Sequence, residues 1–149
     1  SRQESLLNAC TSLKDKFGKE VGVISHDAAR PFLSIRIIED NIKQVKKGNA
    51  CDTVLPCTDT IIESRDSEVI SDIPNRNYLY QGQTPQSFIC QDYIDAYEKI
   101  GEDPSVTDAA KLLLKYGKSV LLVRGEPSNI KITTDFDLAF ADFLMSSKQ

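Results

Sequence analysis

The groups best suited to chemistry open in one short stretch, VGVISHDAARP at residues 21–31. There Val21, Val23 and Ile24 run as an apolar strand into His26, Asp27 and Arg30 before Pro31. Ligands in open α/β sheets gather outside the carboxyl ends of strands, so a carboxylate and a guanidinium placed there could begin a site. The same two residues could equally form a turn and a surface ion pair. Further along, NIKITT at 129–134 alternates, so that Ile130 and Ile132 face one way and Lys131 the other, as a solvated lysine or a site cation. Arg76 lies in a polar stretch where a guanidinium has an anion as its natural partner, and Thr84 precedes Pro85, which makes its backbone extended. The four cysteines, Cys10, Cys51, Cys57 and Cys90, contain no CxxC pair, and one histidine cannot complete a usual Cys/His zinc set. They read as reduced thiols of a cytoplasmic protein. None of the 7 glycines falls in a G-x-G-x-x-G or P-loop pattern.

The elements that must position these residues follow from length and patterning. With 149 residues, 40% hydrophobic and 27% charged, the chain has the makings of one ordinary globular domain. A net charge of −4 argues against a nucleic-acid platform, so an anionic ligand must meet local cations. No apolar run approaches bilayer length, and no membrane partner is expected. Ser5 is a candidate N-cap for a helix with Leu6, Cys10, Leu13 and Phe17 at helical spacing, closed by Gly18. Ser34 caps a second helix with Ile38, Ile42 and Val45 inward. Helix, strand, helix favours a parallel βαβ arrangement. From Cys51 the texture changes: CDTVLP, TDTIIES and EVISDIP read as consecutive strands of an antiparallel arm over roughly 51–80. Such an arm has little core of its own and would pack on a second copy of the chain, or else fold back as a plain excursion. Thr84-Pro85 then reads as a turn into a helix with Phe88, Tyr93, Ile94 and Tyr97; Thr107-Asp108 opens another with Leu112, Leu113 and Tyr116 inward. Ser119–Val123 is expected as a buried strand, and the last helix starts at Thr134, with Asp137 as a capping partner and Leu138, Ala141 and Leu144 inward. The expected fold is therefore α/β, Rossmann-like, with a mostly parallel sheet flanked by helices and a projecting β-arm for dimerisation.

Read together, SRQES, HDAARP, Thr58-Asp59-Thr60, Arg76 followed by QTPQSF, TDAAK from Thr107, and NIKITT resemble, in order and spacing, the bacterial cytidylyltransferases that join CTP to a sugar or polyol phosphate. The resemblance implies a nucleotidyltransferase fold in which residues 1–149 form the C-terminal two-thirds of one domain. The family's opening strand and its Gly-rich loop ending in Pro-Lys, which grips the triphosphate, have no match here, so this chain by itself is expected to be inactive. The implied reaction is attack of a substrate phosphate oxygen on the α-phosphorus of CTP with release of pyrophosphate, homodimeric and Mg²⁺-dependent. In it Lys131 and Asp27 would be catalytic, Lys131 facing the α-phosphate and Asp27 lying near Mg²⁺ and the ribose. Ser5 and Ala28 would join them around the nucleotide. Arg30, Thr60, Arg76 and Thr84 would hold the sugar phosphate. His26, Thr107 and Asp108 are assigned to structure. TDTIIES, SDIPNR and YQGQTPQSF are more similar to the members that use ribitol 5-phosphate, with methylerythritol phosphate as the alternative substrate. A non-catalytic module that dimerises or binds sugar phosphate is the reading from a different class.

Overall fold

Helix α1, Arg2–Phe17, begins a full turn before the expected cap. Ser1 and Glu4 form a capping box: the Ser1 hydroxyl accepts the Glu4 backbone N–H, and the Glu4 carboxylate answers the Ser1 amine. Ser5 is therefore not the N-cap; it sits inside the first turn, where its hydroxyl donates to the Ser1 carbonyl. The computed structural model describes residues 1–146. After α1 come β1 (Gly22–Ser25), α2 (Ile35–Val45), β2 (Ala50–Pro56), a short 3₁₀ turn (Arg76–Tyr78) and β3 (Tyr80–Ile89). The chain continues through α3 (Cys90–Ile100), α4 (Ala109–Tyr116), β4 (Val120–Arg124) and α5 (Asp135–Ser146).

The sheet order is β1-β3-β2-β4. Only β2–β4 pairs parallel, while β3 runs antiparallel to both β1 and β2. The α/β class is as expected, but the sheet is mixed rather than mostly parallel. The reason is the excursion after β2, which returns the chain as a wide hairpin and inserts β3 between the codirectional β1 and β2. Helix α2 covers one face. Its buried stripe is Ile37, Asn41 and Val45, one residue off the Ile38/Ile42 register expected from hydrophobicity. Asn41 accounts for the rotation, because its amide donates to Thr53 Oγ1 (3.1 Å) while its carbonyl oxygen accepts from Ser87 Oγ (2.7 Å) inside the core. On the other face α1, α3 and α4 enclose Cys10, Phe88, Tyr93, Ile94, Leu112 and Leu113.

Five further expectations change. The Thr84-Pro85 stretch is not a turn: β3 continues through it, with a cis peptide between the two residues, and Phe88 belongs to that strand rather than to a helix. Pro85, which cannot donate to a ladder, lies where the β2–β3 register breaks between Asp52 and Val54, and its carbonyl accepts the Thr53 hydroxyl. Of the expected arm strands only CDTVLP is one, and it is a core strand. Residues 57–75 form an irregular exposed loop with a single bridge, Glu63 to Asp72, pinched shut at its base where Cys57 N–H donates to Leu79 O. NIKITT is likewise an extended loop, not a strand. In α5 the Thr134–Asp137 cap forms, and Ala141 is buried, but Leu138 is exposed along with Phe136 and Phe143. Strand β4 also presents Leu121 and Leu122 outward instead of being buried throughout.

Candidate active site

A cleft of about 210 Å³ opens at the carboxyl end of β1, beside the first half of β3. Four of the expected residues meet there: Asp27 and Arg30 from the turn after β1, Thr84 from β3, and Lys131 from the loop after β4. A larger groove of about 460 Å³ follows the outer edge of β1, but Glu20 and Lys46 are its only ionisable lining residues. Chemistry favours the smaller cleft.

Asp27 is the hub. Its two oxygens take one cation each, Arg2 at 2.9 Å and Lys131 at 3.0 Å. Partial burial pushes this carboxyl up, yet the Lys131 hydrogen bond and the charges of Arg2, Lys131 and Arg30 outweigh it and hold Asp27 below its ordinary range. The backbone beneath is fixed by Thr84, whose hydroxyl accepts the Asp27 N–H at 3.0 Å and lies 3.0 Å from His26 Nδ1. His26 Nε2 faces the Arg30 carbonyl at 2.8 Å. A carbonyl only accepts, so Nε2 carries the proton, and in the neutral ring Nδ1 accepts the Thr84 hydroxyl hydrogen. Both ring nitrogens are occupied, which makes His26 a brace of the turn.

Lys131 reaches Asp27 without strand pairing because its loop is tied on both sides. Asn129, fully buried, donates to Thr84 O at 2.8 Å and to Gln83 Oε1, while Arg30 donates to Asn129 O at 2.8 Å. Two residues after Asn129's neighbour Ile130, the Ile132 N–H donates to Ala29 O. Gly125 at the loop's start lies against Gln83, where a Cβ would collide with the amide oxygen. The signal for these anchors was weak: Gln83 and Asn129 are polar residues whose burial no local pattern reveals.

The cleft also takes in residues to which the sequence reading gave no role in a site, among them Arg2, Gln83 and Gln86. Thr107 and Asp108 line it too, and Asp108 keeps its expected structural role by accepting the Lys111 N–H as the α4 cap. The lining thus holds three cations, Arg2, Arg30 and Lys131, against two carboxylates, Asp27 and Asp108, a balance that receives anions. Ser5 lines a separate shallow groove that shares Arg2 with the cleft. Ala28 is exposed in the turn and does not line the cleft. Thr60, on the loop after β2, and Arg76, at the start of the 3₁₀ turn that follows it, are exposed and do not line it either; Arg76 donates to the Thr58 carbonyl.

The family model of 2-C-methyl-D-erythritol 4-phosphate cytidylyltransferase, IspD, matches residues 1–147. The chain belongs to this family. Among curated relatives it is 48% identical, over 121 residues, to the ribitol-5-phosphate cytidylyltransferase of Streptococcus pneumoniae strain Hungary19A-6, covering 80% of this chain and 52% of that protein. The chain therefore spans about half the length of the curated relatives it matches. Among solved structures, the 4-diphosphocytidyl-2C-methyl-D-erythritol synthase of Anaerococcus prevotii superposes with a TM-score of 0.85 at 33% identity, covering 98% of this chain and 64% of that one. The IspD structure of Francisella tularensis gives 0.85 at 28% identity, with 96% and 67% covered. This IspD-family chain thus carries the mixed sheet and the cation-lined cleft as one unit.

Proposed function

We propose that the whole protein carrying this chain transfers a cytidylyl group from CTP to a polyol phosphate, with ribitol 5-phosphate as the acceptor. The observation that carries this reading is the convergence of Asp27, Arg30, Thr84 and Lys131 on one cleft with an excess of cations. The acceptor phosphate is already an anionic nucleophile at neutral pH, so no base has to be found for it. One P–O bond forms between that oxygen and the α-phosphorus, the bond to the β-phosphate oxygen breaks, and pyrophosphate departs. What the protein must supply is alignment of two anions and cationic charge where negative charge builds. Lys131 serves the α-phosphate, poised by Asp27, and Arg30 holds the acceptor. Ser5 and Ala28 belong to the nucleotide side, Ser5 through the groove it shares with Arg2.

Among the described residues no three His, Cys, Asp or Glu side chains converge on a common point. Mg²⁺ dehydrates reluctantly and is held through one or two carboxylates together with substrate phosphates, a part that a carboxylate lining the cleft can take. Asp27 is the residue to hold it, and the ion would neutralise phosphate charge when bound. Thr60 and Arg76 lie outside the cleft of their own chain on the excursion between β2 and β3, which exposes Ile62, Val69, Ile70 and Ile73 and favours a homodimer in which this excursion serves the partner's site. Three of the four thiols are buried and all are free, in keeping with a reducing cytoplasm.

The deciding experiment compares kcat/KM of the whole protein, with CTP and Mg²⁺, for ribitol 5-phosphate and methylerythritol phosphate. The larger value is expected for ribitol 5-phosphate. The second reading, methylerythritol phosphate as acceptor, is favoured by the solved neighbours and wins if the order reverses.

A further inference from the structure

Asp52 stands behind the cleft with no part in the chemistry described so far. It lies on β2 opposite Gln86, whose Nε2 donates to Asp52 Oδ1 at 3.1 Å. Gln86 is itself clamped, since its Oε1 accepts the Ala109 N–H at the start of α4. The carboxylate is thus held in one orientation by a side chain that cannot rotate away without breaking a second bond. Its other oxygen, Oδ2, faces Gly82, a cleft residue with no side chain; a Cβ there would come within 3.9 Å of it. The charged groups acting on Asp52 are Arg30, from the turn after β1, and Asp108, at the cap of α4, both cleft residues. Arg30 lies in the fields of both Asp27 and Asp52, and its buried Nε has no hydrogen-bond partner among the described residues.

We infer that Asp52, which stands behind the lining at Gly82 rather than in it, is a specificity-determining residue that accepts hydrogen bonds from the distal hydroxyl groups of the polyol phosphate. A carboxylate repels a phosphate and is a strong acceptor for hydroxyls, so an acceptor molecule held by Arg30 at its phosphate lays its polyol tail toward Asp52. Gly82 puts no side chain of its own between the cleft and Oδ2. Burial pushes the Asp52 carboxyl up to about 6, with Asp108 adding to the rise and the Gln86 bond and Arg30 opposing it. A half-buried acceptor kept ionised against that penalty has the pattern of a functional group rather than a stabilising one.

The assignment rests on the cytidylyltransferase reading, and the test separates the two. In the whole protein, kcat and KM for ribitol 5-phosphate are measured for wild type and Asp52→Asn, with glycerol 3-phosphate as a truncated competitor whose inhibition constant is read in both. The Asn variant keeps the bond from Gln86 and loses the charge. The expected result is a rise in KM for ribitol 5-phosphate of about tenfold or more, the scale of a charge-assisted hydrogen bond, with kcat little changed and glycerol 3-phosphate inhibition unaltered. An unchanged KM, or equal losses for both ligands, overturns the inference while leaving cytidylyl transfer intact. A wild type that releases no pyrophosphate overturns the parent reading and this one with it. A second measurement needs no variant. Both ligands share the same phosphate titration, so the ratio of their constants cancels it, and the wild-type preference for ribitol 5-phosphate should shrink as pH falls through about 6. A ratio that stays flat between pH 5 and pH 8 also overturns the assignment.

Discussion

Lys131 and Asp52 show how differently single residues are held ready. The Lys131 ammonium is paired with Asp27, and the carboxylate keeps it from wandering. In the whole protein Lys131→Ala should lower kcat roughly a hundredfold, the usual scale for losing one preorganised transition-state contact; steady-state pyrophosphate release checks it, and an unchanged kcat reassigns the lysine to the solvated surface. Asp52 works against stability. Its folded pKa of about 6 lies above its ordinary 3.8, so the folded chain binds the extra proton between those values. The resulting stabilisation is fully present below the lower value and lost as pH rises through the upper one. Asp52→Asn should therefore raise stability at pH 7.5 by roughly 2 kcal/mol, because each pH unit separating the two values is worth about 1.4 kcal/mol before solvent screening trims the total. The gain should fade toward pH 4. Thermal melts at the two pH values check the sign. A variant that is more stable yet binds ribitol 5-phosphate more weakly would mark a residue kept for function.

Elements explain what was legible beforehand. HDAARP was readable because an apolar strand feeding a polar turn is a local pattern, and Ser34, Asp108 and Thr134 were readable as caps because a cap is a bond between near neighbours. The course of β3 was not, since a proline normally signals a break; a long-range bulge against β2 is what lets the strand run through Thr84 and Pro85. Lys131 was marked by family pattern and placed on the wrong kind of element. Its position depends on Gln83 and Asn129, partners 46 residues apart in sequence that no window could join. Asn129→Ala strips the buried Thr84 carbonyl of its donor and should cost about 1–3 kcal/mol, the penalty of an unsatisfied buried group. Urea denaturation measures it. The same variant should lose activity in parallel with Lys131→Ala if the loop, rather than the lysine alone, sets the geometry.

At the scale of the whole molecule, the cleft supplies cations from its own chain while Thr60 and Arg76 stand apart on the exposed loop. If that loop serves a neighbouring subunit, each site needs two chains. Mixing whole Arg76→Ala protein with whole Lys131→Ala protein, under conditions in which subunits exchange, should then restore part of the activity, because one site of a mixed dimer escapes both lesions. Verified exchange without recovery would assign Arg76 to its own chain. The chain of 149 residues, lacking a Gly-rich phosphate loop, should release no pyrophosphate from CTP when prepared alone. A last consequence comes from β3. Within five residues, Gln83 holds the loop of Lys131, Thr84 the turn of Asp27, Gln86 both Asp52 and α4, and Ser87 the core amide of Asn41. Adding or deleting one residue here turns every one of these side chains on one side of the change to the opposite face. The loop at 57–75, bridged at one point and pinched at its base, carries no such wiring. A library of single-residue insertions should therefore find length changes accepted at 57–75 and refused at 83–87, which sets where a lineage of such chains is free to grow or shrink.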